Sequence, residues 1–137
     1  MDAKALRDRS QKFAIDVSRF CDTLPKDPRS QEIAKQLHDA AHSAAMNYRA
    51  VCRARSDEEF IAKICITVEE ADEAEGWIET LLQSGKVSGE EAERLLDEAT
   101  QLLKIFAASK RTVLRNAQRR KRERLEMQKL SGDPRRR

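Results

Sequence analysis

The chain has 137 residues, enough for one hydrophobic core, with 37% charged residues, only 4% aromatics and three cysteines. That balance disfavours a β-sandwich, which draws on β-branched and aromatic residues, and favours helices with one apolar stripe and a salt-laced outer face. The net charge of +3 conceals an asymmetry: residues 115–137 carry +7, residues 1–114 carry −4, and residues 64–98 within them carry −9.

The first predicted helix runs from about Ala3 to Leu24. Leu6, Phe13, Val17, Phe20 and Leu24 recur at spacings of seven, four, three and four, which places them on one helical face. Pro25 and Pro28 stop it. The second runs from about Ser30 to Ala54 with the stripe Ile33, Leu37, Ala41, Ala44, Tyr48 and Val51. Ala40–Tyr48 is dominated by small side chains that let a neighbouring helix approach closely, so it is the expected most buried segment.

The third predicted helix opens at a capping box, with Ser56 as N-cap and Glu59 three residues on. Its stripe is Phe60, Ile61, Ile64, Val68, Ala71, Ile78 and Leu82, and Gly85 fits the C-cap. A second capping box, Ser88 to Glu91, opens the fourth. Its apolar positions run from Ala92 through Leu95, Leu96, Ala99, Leu102, Leu103 and Phe106 to Val113 and Leu114. Beyond Leu114 arginines take over, and good helix formers carry the helix to about Leu130. Ser131-Gly132-Asp133-Pro134 ends it, and Arg135–Arg137 are expected to be disordered.

Four helices with turns near 25–29, 55–57 and 85–89 predict an all-α fold. The expected form is an antiparallel up-down-up-down four-helix bundle over 1–114, with a basic C-terminal helical extension over 115–137. Cys21, Cys52 and Cys65 form no C-x-x-C pair and read as reduced, core-filling residues of a cytoplasmic protein. There is no secretory h-region, and no apolar run approaches the roughly 20 residues that span a bilayer, so no membrane role is expected.

Chemistry-bearing constellations are few. His38 and His42 lie one turn apart, with Asp39 three residues before His42, but neither belongs to a Glu-x-x-His motif, so no metal site and no cofactor are expected. Glu69, Glu70, Asp72, Glu73 and Glu75 lack an accompanying nucleophile–base pair or phosphate loop, which argues against an enzyme and for a solvated face. Arg49, Arg53 and Arg55 complement the dipole at the end of the second helix and are secondary candidates for binding phosphate.

The strongest functional signal is the final basic segment: Arg115, Arg119, Arg120, Lys121, Arg122, Arg124 and Lys129. Arg115, Arg119 and Arg122 share one helical face, and Arg120 and Arg124 another. As a helix, residues 115–130 would project roughly 24 Å of mostly positive surface. With no aromatics in this segment, the expected contact is with phosphates of RNA or DNA and is weakly sequence-specific. The alternative is a protein–protein assembly module whose basic tail only solubilises it.

The run Gln36-Leu37, Ala40-Ala41, Ser43 and Asn47, followed by Ser56, Glu59-Phe60, Glu73 and Glu75, resembles the bacterial four-helix-bundle proteins also called intervening-sequence proteins of large ribosomal RNA genes. Leu24-Pro25-Lys26 is similar to that family's first turn, and the resemblance covers about residues 6–110. It implies an antiparallel four-helix bundle assembled as a homopentamer, with no enzymatic activity. Related accessory proteins of diversity-generating retroelements bind a reverse transcriptase and nucleic acid through basic surface, which implies a partner protein as well. The chain departs from the family pattern where Tyr48-Arg49-Ala50-Val51 follows Asn47 in place of Ile-Ala-Glu-Gly, and where Glu69-Glu70 stand in place of Gly-Ser. The basic extension after Leu114 lies beyond the common core.

Overall fold

A computed structural model describes residues 1–132, and they fold into four helices: α1 (Ala3–Asp22), α2 (Pro28–Cys52), α3 (Asp57–Gln83) and α4 (Glu90–Ser131). The expectation of disorder at Arg135–Arg137 lies outside the described residues. Each start has a local cause. Asp2 caps α1 by accepting from the Ala5 N–H at 2.7 Å. Asp27 caps α2 from the Ser30 N–H, and Pro28 occupies the first turn, where its missing N–H costs nothing. The second helix therefore begins two residues earlier than its sequence pattern predicts.

The Ser56 half of the capping box forms as expected, its hydroxyl accepting from the Glu59 N–H at 3.1 Å, while the Glu59 carboxylate faces Arg55 and makes no return bond to the Ser56 N–H. Ser56→Ala is expected to lower stability by about 1 kcal/mol, read as a drop in the urea midpoint at constant slope.

The connection from α3 to α4 corrects two details. Ser84, not Gly85, is the C-cap, and Gly85 follows it with φ +75. The Gly85 N–H bonds to Leu82 C=O and the Lys86 N–H to Leu81 C=O, the paired closure that needs a left-handed residue at this position. The Ser88–Glu91 capping box does not form. Gly89 is the N-cap of α4 with φ +105 and no side-chain cap, so the helix enters one residue later than the motif predicts. Lys86 pins this turn to the opening of α2, its Nζ lying 3.1 Å from Asp27. Hydrogen bonds from Ser30 and Lys86 hold the Asp27 carboxyl down at about 2.

The helices pack as α1 on α2, α2 on α3, α3 on α4 and α1 on α4. Cross-helix pairs run in opposite order along each pair that they join. Cys52 meets Ala3 and Cys21 meets Ala34 between α1 and α2. Arg9 meets Glu98 and Asp16 meets Arg94 between α1 and α4. Thr100 meets Glu75 and Arg120 meets Asp57 between α3 and α4. The helices thus alternate in direction, as the short connections require.

One core runs the length of the bundle, and the predicted stripes of α1 and α2 line it; Ile33 alone stays half-buried at its edge. In α3 the buried line is Ile64, Thr67, Ala71, Ala74, Ile78 and Leu81. It takes Leu81 in place of Leu82, and it admits Thr67, whose hydroxyl donates to Lys63 C=O at 2.8 Å. The α4 line ends at Phe106; Val113 is half-buried and Leu114 exposed. The central layer of Phe13, Ala41, Ala44, Ala45, Ala71 and Leu102 encloses a void of only about 10 Å³, the least a water needs. The expectation of core-filling cysteines is corrected: Cys52 is exposed, and Cys21 and Cys65 are half-buried. Cys21 donates to Ala34 C=O at 3.3 Å, and burial pushes its thiol up to about 11.

Candidate nucleic-acid interface

Antiparallel packing sorts the charge end to end. On one side of the central layer lie residues 1–12, 45–70 and 103–132, with 18 Lys or Arg against nine Asp or Glu. On the other lie residues 13–44 and 71–102, with six against 14. The described residues therefore divide into a half of +9 and a half of −8 along the bundle axis. Two contiguous stretches carry most of this division, +8 over residues 103–132 and −7 over residues 71–102, and packing sets them on opposite sides of the central layer.

All seven predicted basic residues of α4, from Arg115 to Lys129, are exposed on one continuous helix. Their settings differ. Arg120 turns toward the bundle and pairs with Asp57 at 2.6 Å, closing α4 against the first turn of α3. Arg119 lies 3.9 Å from Glu123, an exposed pair of little energetic weight. Among the described residues, Arg115, Lys121, Arg122, Arg124 and Lys129 make no ion pair. The packed part of α4 reaches Arg120, six residues beyond Leu114. Residues 121–131 then extend past the start of α3 as a single exposed helix of about 16 Å.

The secondary candidates lie at the same end. Arg53 and Arg55 are exposed in the α2–α3 turn, Arg55 within 3.9 Å of Glu59, and Arg49 is half-buried one turn before the end of α2. Arg111 is exposed one helical turn before Arg115, which adds it to the Arg115–Arg119 face. Counting the basic stripe back from Arg115 by four residues would have found it in the sequence.

The other constellations are held in structural bonds. His42 Nε2 lies 2.6 Å from Ser18 Oγ, and burial, with His38 beside it, lowers the His42 pKa. The rings of His38 and His42 lie 4.4 Å apart, yet among the described residues no three ligand-type side chains converge on one point. On the acidic half, Glu75 accepts from Thr100 Oγ1 at 2.6 Å and Glu73 from Trp77 Nε1 at 3.2 Å. Burial, then Glu73 and Glu69, raises the Glu70 pKa. Among the described residues no helix is long and apolar enough to cross a membrane.

Comparison with known proteins fits this architecture. A crystal structure of a protein of unknown function from the S23 ribosomal protein family of Bacteroides thetaiotaomicron superposes with a TM-score of 0.73 at 25% identity, covering 81% of this chain and 99% of that one. No curated protein matches. Residues 5–108 match the family described as 23S rRNA-intervening sequence protein, and the basic stretch of α4 lies beyond that match. Since the match takes in α2 and α3 whole, all but the first two residues of α1, and α4 as far as the end of its buried line, the chain belongs to the 23S rRNA-intervening sequence protein family.

Proposed function

We propose that this protein is a non-enzymatic accessory or scaffold that binds RNA or DNA through the backbone phosphates at its basic end, acting as a homo-oligomer. The observation that carries the reading is the collection of 18 basic residues on one half of the bundle, with the exposed α4 arginines projecting from it. Side chains that hold no carboxylate partner are available to replace the counterions of a phosphate backbone, and such contacts position a nucleic acid without reading its sequence. The family, described by its relation to an intervening sequence of ribosomal RNA, supports a nucleic-acid setting.

The resemblance to pentameric relatives supports five copies. A ring that sets the basic end of every copy on one side gathers their weak sites at high local concentration. The −8 half then faces away and orients the nucleic acid. A partner protein such as a nucleic-acid enzyme has the acidic half open to it.

The test is binding of generic RNA and DNA across a salt series, with the mass of the free protein measured by light scattering. The expected result is a steep linear fall of log affinity with log salt, with little dependence on sequence, by a particle of five subunits. A monomer at micromolar concentration removes the assembly. Failure to bind at about 50 mM salt, where phosphate contacts are strongest, leaves the assembly module with a solubilising tail.

A further inference from the structure

Beside the basic stretch, α3 and α4 leave an open groove of about 620 Å³. Its floor is apolar, made by Phe60 near the start of α3 and by Ile105 and Val113 of α4, all half-buried. Its rim is polar, made by Thr112, Asn116 and Arg120. We propose that this groove takes an unpaired nucleobase, so that the basic end prefers single-stranded nucleic acid to duplex. The inference rests on the nucleic-acid reading above and specifies its substrate class.

Three features favour a base as the occupant. The first is the ring. Phe13, Phe20, Tyr48 and Phe106 are buried, and Trp77 lies on the acidic half beside Glu73. Phe60 is thus the one aromatic side chain on the basic half with surface left to stack on. Base–aromatic stacking is the main sequence-tolerant source of affinity for single strands. The second is Asn116, half-buried in the groove, whose amide offers both donors and an acceptor to a base edge. The third is charge. Arg119 and Arg120 follow Asn116 by three and four residues, so both lie one turn along α4 from it. Asp57 holds Arg120 at the rim at 2.6 Å. The Asp57 carboxylate lines the α3 side of the groove, so the flanking phosphates run along α4, past Arg115 and Arg119. The groove volume falls within the roughly 300–1,000 Å³ of small-molecule sites, room for one or two bases.

Tail and groove therefore act on different parts of the nucleotide. A surface that reads phosphates alone favours duplex, whose charge is about twice as dense along the axis as that of one strand. A preference for the single strand is the signature of the groove.

The experiment compares a labelled oligothymidylate with a duplex of equal length by fluorescence anisotropy, using the full chain and two variants. Phe60→Leu keeps apolar bulk over the core edge, and Asn116→Ala alters a surface amide; circular dichroism melts confirm that both fold. The wild type is expected to bind the single strand about tenfold or more tighter than the duplex. Phe60→Leu is expected to erase that preference with duplex affinity unchanged, Asn116→Ala to reduce it, and Phe60→Trp to restore it. If the wild type prefers duplex, or if both variants bind the single strand as the wild type does, the base groove is overturned while the phosphate interface stands. If the wild type binds neither probe, the nucleic-acid reading falls and the groove with it.

Discussion

A chain that ends at Arg120 is expected to keep a folded bundle and to lose most of its affinity for nucleic acid at moderate salt. The bundle survives because the buried line of α4 ends at Phe106, well before the cut. Lys121, Arg122, Arg124 and Lys129 are exposed and pair with no carboxylate among the described residues, and the one ion pair the truncation breaks there is the exposed Arg119–Glu123 contact. Each phosphate contact adds about 0.9 to the salt slope, so losing these four, before Arg135–Arg137 are counted, lowers it by roughly 3.6 and weakens binding on the order of a thousandfold near physiological salt. Anisotropy titrations of both chains across a salt series measure the two quantities together. An unchanged slope would move the interface to the α2–α3 turn, where Arg49, Arg53 and Arg55 stand on the same half. Arg115 and Arg119 survive the truncation, so some binding is expected to remain at low salt.

Phe106→Ala is expected to lower stability by about 3–5 kcal/mol, against the roughly 5–15 kcal/mol by which domains are ordinarily stable. Phe106 is 1% exposed, and its ring stands 5.2 Å from that of Tyr48. The size of the effect follows from its neighbours. Ala41, Ala44, Ala45, Ala71 and Ala99 line the same layer, and alanine has no rotamer with which to fill a cavity. Only helix movement closes the hole, and the four-way packing of the bundle opposes it. Urea unfolding followed by circular dichroism gives the value. A loss below about 1 kcal/mol would show that the helices do collapse around this layer.

The helices were legible because burial imposes a period. The stripe residues of α1, Leu6, Phe13, Val17 and Phe20, fall where one face of a helix requires them, and all four are buried, whereas Ile15 lies off that face and is exposed. Ser56 was legible as a cap because its hydroxyl and the Glu59 N–H meet through local geometry alone. Local patterns failed where two neighbouring residues could serve equally. Leu81 and Leu82 both continue the α3 stripe from Ile78, and only packing against the other helices selects Leu81. Ser88 has the chemistry of a cap, but the path leaving the Gly85 turn, held by Lys86 on Asp27, starts α4 one residue later. Thr67 was passed over as polar, although its hydroxyl finds an acceptor within its own helix and so can be buried.

The sequence by itself determined the all-α class, the four helices, most of the core and the basic residues of the last helix, since each depends on residues within a turn or two of one another. Tertiary structure alone decided what those basic residues stand beside. Antiparallel packing brings the start of α1, the α2–α3 turn and the end of α4 to one place, which joins Arg49, Arg53 and Arg55 to the α4 arginines and sets Asp57 against Arg120. It also puts Phe60, 56 residues from Asn116 in the chain, across the same groove from it. The charge of the stretches 71–102 and 103–132 is written in the sequence, but charge acts over distances in space, and only packing sets them on opposite sides of the central layer.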